Sequence, residues 1–122
     1  MHTRKEQMEA FGRFLAILDE LRVKSPWART QPNERLRPAT KAEPYELCDA
    51  LLRDDKNDIC KELGDVLLHV AFYAKIGSET GDFDMKDVCD RLCEKLIFRH
   101  PHVFGDVKAE TAGQVSENWE QL

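Results

Sequence analysis

Asp58-Ile59-Cys60-Lys61-Glu62-Leu63-Gly64-Asp65-Val66-Leu67-Leu68-His69-Val70-Ala71-Phe72-Tyr73-Ala74-Lys75-Ile76-Gly77-Ser78 contains the longest apolar run of the chain, Val66 to Ala74. Leu63, Val66, Leu67 and Val70 recur at spacings of three and four, which marks one face of an α-helix and predicts a core stripe. Glu62, Asp65 and His69 fall together along the edge of that stripe. Acids on an ordinary surface helix take the opposite face, so this placement is a first pointer to a site.

Upstream, Arg53 to Asn57 reads as a polar turn, preceded by a second helix. Two starts fit that helix. Thr40 with Glu43 three residues on has the form of a capping box. Alternatively Glu43 is the cap and Pro44 the first helical residue, a position that suits proline. Either way Glu43, Glu46, Leu47 and Ala50 share one sector. A first helix spans Glu6 to Arg22, with Phe11, Phe14, Leu15, Leu18 and Leu21 on one side. The connection from Val23 to Ala39 contains Pro26, Pro32 and Pro38, and its large aromatic, Trp27, is expected to pack down. Downstream, Gly81 closes a turn and Asp84 caps a helix running to about Arg99. Pro101 stops it, because proline disfavours α geometry in the residue before it. A short helix over Thr111 to Gln121 completes the chain. No β alternation and no repeat is visible. The expectation is an all-α, four-helix-bundle-type domain over 1–122 with a short C-terminal helix.

Composition narrows the function. Apolar residues make up 42% and charged residues 34%, which excludes a disordered or fibrous chain. The net charge of −5 argues against binding to duplex nucleic acid, though not against a phosphorylated ligand brought in by a metal ion. The Val66–Ala74 run is far short of the roughly 20 residues a membrane span needs. Nothing at the N-terminus resembles a signal core, so a soluble cytoplasmic protein is expected. Cys48, Cys60, Cys89 and Cys93 then read as reduced, buried thiols, with Cys48 and Cys60 as core fillers. Cys89 and Cys93 could hold zinc with His100 or His102, but neither a CxxC spacing nor a second ligand pair is present.

A short turn makes the second and third helices antiparallel neighbours. Glu43 and Glu46 then face Glu62 and Asp65 across one cleft. Carboxylates held that close repel, and burial penalises their ionised forms. A divalent cation removes both costs, and an all-oxygen donor set suits Mg²⁺ or Mn²⁺. A solvated acidic face paired with lysines is the plainer alternative. On the fourth helix, Val88, Leu92, Lys95 and Arg99 share a face. Its first half is expected in the core. Its two cations either serve the helix dipole or clamp a phosphate. His100 and His102 read as a helix-end residue and a packing residue. Trp119 is either a core anchor or a lid over a base.

Several segments occur together in an order that carries a resemblance. They are Ser25-Pro26-Trp27, Leu36-Arg37-Pro38, Tyr45-Glu46-Leu47 with Asp49-Ala50, Glu62-Leu63-Gly64-Asp65, Lys95-Leu96, Arg99-His100-Pro101-His102-Val103-Phe104-Gly105 and Asn118-Trp119-Glu120. This chain resembles the MazG family of nucleoside triphosphate pyrophosphohydrolases, in the all-α NTP pyrophosphatase superfamily. The resemblance implies Mg²⁺-dependent hydrolysis of nucleoside triphosphates to monophosphate and pyrophosphate. It implies Glu43, Glu46, Glu62 and Asp65 as metal ligands, with Glu43 or Glu46 acting on the attacking water. It implies Lys95, Arg99, Asn118 and Trp119 as substrate-binding residues, and a homodimer. The family pattern has glutamate where this chain has Ala42, aspartate at Ala28 and a small helix former at Pro44. Lys41 replaces an apolar residue. A lysine that often follows the Asn-Trp-Glu segment would fall beyond Leu122, as in a domain truncated at its C-terminus. A weakened nucleotide-binding member, or a plain structural helical dimer module, is the alternative expectation.

Overall fold

Capping chemistry sets where the first helix begins. Thr3 Oγ1 accepts from the Glu6 N–H at 3.1 Å, and Glu6 Oε1 accepts from the Thr3 N–H at 2.8 Å. This reciprocal pair satisfies two otherwise unpaired donors. It starts α1 at Arg4, and the helix runs Arg4–Lys24. The computed structural model describes residues 1–25 and 33–105, together with Gly113. The expectations for Trp27 and for a helix over Thr111 to Gln121 lie outside the described residues.

The second helix, α2, spans Asn33–Arg53, and this overturns both expected starts. Thr40 lies inside the helix and caps nothing. Its hydroxyl donates to the Leu36 carbonyl at 3.0 Å, one turn back. Pro38 and Pro44 are likewise interior. Neither has an N–H to donate, and an interior proline costs an isolated helix about 3 kcal/mol. The helix continues through both because packing against the next helix outweighs local propensity.

Asp54, in the left-handed region at φ 53°, and Asp55 reverse the chain. Aspartate tolerates that conformation better than most residues. Asp55 then caps α3, Lys56–Glu79, by accepting from the Asp58 N–H at 3.2 Å. Arg53 bridges the reversal to Asp58 at 2.7 Å, while Thr40 meets Tyr73 at 2.7 Å. This register makes α2 and α3 antiparallel, as expected.

Two units are distinguished by internal packing, Met1–Asp82 and Phe83–Leu122. In the first, Leu18 of α1, Leu36 and Ala50 of α2, and Ala71, Phe72 and Ala74 of α3 are buried. The expected stripe of α3 is not: Leu63, Leu67 and Val70 are exposed and Val66 is half-buried. The helical period is right, but within this unit α2 and α1 cover a different sector of α3. The second unit contains α4, Met85–Arg99, and a short α5, Pro101–Phe104. Asp84 caps α4 as expected, accepting from the Asp87 N–H at 3.2 Å. Leu92 is exposed, so the first half of the expected α4 stripe is not core. All four cysteines are free and exposed, which overturns the expectation of buried thiols for Cys48 and Cys60 as for Cys89 and Cys93. They occupy the uncovered sectors of their helices. Among the described residues no helix is long and apolar enough to cross a membrane.

One contact fastens α1 to the end of α3. Arg22 Nε donates to Glu79 Oε2 at 2.8 Å and Arg22 Nη2 to Glu79 Oε1 at 2.9 Å. The same guanidinium lies 5.5 Å from the centroid of the Phe72 ring. This paired geometry is the strong form of an arginine–carboxylate bond. Replacing Arg22 by Ala is expected to lower stability by about 2 kcal/mol in urea unfolding, as loss of charged hydrogen bonds does. Loss below about 0.5 kcal/mol would show that this pair adds little to the apolar face and to the Lys75–Asp19 ion pair, 3.0 Å apart, that also joins α3 to α1.

Candidate metal centre

Because α2 and α3 run antiparallel, residues at similar distances from the Asp54–Asp55 reversal meet, with Glu62 about one turn of α3 nearer to it than Asp65. Glu43 on α2 comes opposite Glu62 and Asp65 on α3. Each of the three offers a carboxylate oxygen, and these oxygens lie within 4.8 Å of one another. Among the described residues this is the one such group of acids, cysteines or histidines.

Glu62 sits deepest, at 8% exposure, and is the buried charged residue of the described chain. Its Oε2 and the Oε2 of Glu43 are buried with no hydrogen-bond partner. An unpaired buried carboxylate oxygen is costly. Lys61 Nζ is 3.8 Å from Glu62 Oε1, but that lysine is largely exposed and its help is screened. The Glu62 carboxyl is accordingly held above the usual range. Loss of hydration is the main cause and the charge of Glu46 the next, with Asp65 and Glu43 adding to it against Lys61.

Glu46 departs from expectation in part. It is exposed and stands outside the gathered three, although its charge reaches Glu62. Three residues along a helix leave an offset of about 60°, enough to turn Glu43 inward and Glu46 to the rim. Lys95 is exposed and Arg99 half-buried in the last turn of α4, where a cation suits the helix C-terminus. Both belong to the second unit. Asn118 and Trp119 lie outside the described residues.

The histidines divide as follows. His100 ends α4 and donates from Nδ1 to the Leu96 carbonyl at 2.8 Å. His102 is half-buried, with its Nδ1 buried and unpartnered, and the two rings are 5.4 Å apart. His69 lies beside the acids, its Nε2 3.8 Å from Glu43 Oε1. Its Nδ1 is 2.6 Å from Thr40 Oγ1, which also meets the Tyr73 hydroxyl. Sequence reading missed this link. His69 and Tyr73 are one turn apart and so share a face, but only packing brings Thr40 to both.

The donor set is all oxygen, and two of its oxygens are buried and unsatisfied. These residues fit a hard divalent cation, which would neutralise the repulsion and fill the open lone pairs.

The MazG nucleotide pyrophosphohydrolase domain model matches residues 31–104. The chain is 42% identical over 118 residues to the nucleoside triphosphate pyrophosphohydrolase of Escherichia coli, covering 94% of this chain and 45% of that protein. It is 44% identical over 124 residues to the nucleoside triphosphate pyrophosphohydrolase/pyrophosphatase MazG of Thermotoga maritima, covering 97% of this chain and 46% of that one. The chain thus spans about half the length of these relatives. A solved structure of a mazG-related protein from Thermotoga maritima superposes with a TM-score of 0.74 at 24% identity, over 90% of this chain and 96% of that one.

The raised Glu62 carboxyl has a stability consequence of fixed sign. A carboxyl raised by folding favours the protonated folded state, so stability falls as pH rises from the ordinary glutamate range through the raised value. Glu62→Gln removes that fall. In metal-free urea titrations the variant is expected to match or exceed the unsubstituted protein at pH 7 and to lose this advantage near pH 4. A variant less stable at pH 7 than at pH 4, relative to its parent, would contradict the assignment.

Proposed function

The chain belongs to the MazG nucleotide pyrophosphohydrolase family, and we propose that it hydrolyses nucleoside triphosphates to nucleoside monophosphate and pyrophosphate with Mg²⁺, or with Mn²⁺ in its place. The observation that carries this reading is the trio Glu43, Glu62 and Asp65, with two of its buried oxygens unpaired. The bound cation would supply neutralisation of the triphosphate charge.

The chain's own residues divide the remaining work. Glu62 and Asp65, from one turn of α3, and Glu43, from α2, hold the cation. Glu46, exposed at the rim, is placed to orient the attacking water and accept its proton; Glu43 is the other candidate for that role. Lys95 and Arg99 are proposed to bind phosphate oxygens, Arg99 through two donors and Lys95 as a point charge. Asn118 and Trp119 are proposed to hold the nucleotide. Water adds to the α- or β-phosphorus, the bond from that phosphorus to the oxygen bridging the two breaks, and the water's proton passes to the carboxylate.

A homodimer is part of the same proposal. Leu63, Leu67 and Val70 lie along one face of α3 and are 52%, 40% and 43% exposed. Apolar rows of that kind are rarely left to water. A second copy of the chain would cover them. Leu67→Asp is expected to shift the sedimentation coefficient from dimer to monomer, and an unsubstituted protein that sediments as a monomer would remove the proposal.

Pyrophosphate release from the common nucleoside triphosphates, with and without Mg²⁺, tests the activity. Release is expected only with metal, and Glu62→Gln is expected to lower it by at least 100-fold, on the scale of lost charge stabilisation. In the same assay Lys95→Ala is expected to raise KM about tenfold, the cost of one charged contact. Equal release without metal would refute the mechanism. Nucleotide binding by calorimetry without product would assign the weakened, binding-only role that Ala42, Ala28 and Pro44 suggest.

A further inference from the structure

Thr40 Oγ1 has three polar neighbours: the Leu36 carbonyl at 3.0 Å, the Tyr73 hydroxyl at 2.7 Å and His69 Nδ1 at 2.6 Å. A threonine hydroxyl has one hydrogen to give and two lone pairs to receive. A carbonyl can only accept, so the Thr40 hydrogen goes to Leu36. Both remaining neighbours must then donate. Tyr73 gives its O–H, and His69 carries a hydrogen on Nδ1. This assignment follows from the hydrogen-bond count. It holds for the protonated ring and for the neutral ring alike, since Nδ1 is protonated in both.

The ring is thereby fixed from one side. Its other nitrogen, Nε2, faces Glu43 Oε1 at 3.8 Å. The two side chains are 13% and 18% exposed, and Glu43 Oε2 is buried without a partner. In the neutral ring Nε2 carries a lone pair, and 3.8 Å is longer than a direct hydrogen bond, so the separation suits one water donating to both Nε2 and Glu43 Oε1.

We infer that His69 is a positioning residue: held at Nδ1 by Thr40 with Tyr73, it fixes through Nε2 the rotation of the Glu43 carboxylate, and so the geometry in which Glu43 joins Glu62 and Asp65 around a divalent cation. This rests on the metal reading proposed above. A glutamate side chain has several rotatable bonds, and one anchored in advance loses less freedom when it ligates. Outer partners of this kind commonly account for 10- to 100-fold in metal affinity.

The test is Mn²⁺ binding to the full chain by calorimetry, with thermal unfolding of the metal-free protein alongside. His69→Asn places an amide nitrogen near the position of Nδ1, so it keeps the Thr40 contact and presents nothing to Glu43. His69→Gln reaches the position of Nε2. His69→Asn is expected to weaken Mn²⁺ binding by about tenfold, and His69→Gln to stay within about threefold of the parent. A His69→Asn protein that binds as its parent does, or two variants weakened alike, would overturn the inference while leaving the metal reading intact. A parent that binds no Mn²⁺ would overturn both. Should His69→Asn fail to fold, Thr40→Val removes the anchor and keeps the imidazole. His69→Gln likewise lacks the Thr40 anchor, so a loss of about threefold is expected there too, and unchanged binding would overturn the inference.

Discussion

Carboxylates buried beside one another cannot all be ionised cheaply, and that repulsion converges on Glu62. Water is largely excluded there, Lys61 compensates only from the surface, and Glu46, Asp65 and Glu43 each oppose ionisation. A folded chain accepts such a cost where function depends on it. The energy that the crowded acids withhold from the fold is available to a cation that binds them. Stability and binding are thus opposed at one residue.

The rest of the first unit can be understood as what holds those acids together. An antiparallel pair with a two-residue reversal fixes the register, through the left-handed Asp54, the Asp55 cap and the Arg53–Asp58 bridge. Beyond the acids, Thr40 ties α2 to His69 and Tyr73 of α3. At the far end Arg22 ties α1 to Glu79. Polar links therefore bracket the cluster from both sides. Among its described residues the unit has few fully buried apolar side chains, and much of the α3 surface is exposed. A second copy meeting that surface would supply the apolar burial that one copy lacks.

The period of the apolar residues made the helices legible, and so did the caps. Asp84 caps α4 where its position before the apolar repeat foretold it. Thr3 and Glu6 carry an equally plain capping-box pattern, which the expected start at Glu6 passed over. Thr40 shows where such local logic fails. Its spacing to Glu43 has the form of a cap, yet its hydroxyl is drawn into packing with α3, and Asn33 to Ala39 continue as helix despite Pro38. The acids were legible in the same way: Glu62 and Asp65 stand on the edge of an apolar stripe, and Glu43 on a neighbouring helix. The rim position of Glu46 was not, because a rotation of about 60° decides it and period alone does not fix which side faces in.

What the sequence determined by itself is the existence of α1 to α4, the short reversal between α2 and α3, and hence that acids from two rods would meet. These follow from interactions between residues close along the chain. Tertiary structure decided which sector of each helix is covered, where α2 begins, and which polar atoms are left buried without partners. Those outcomes turn on contacts between residues far apart in the chain. Leu63, Leu67 and Val70 are as apolar as any core residue, but burial is a property of what lies opposite, and no residue carries that in its own chemistry.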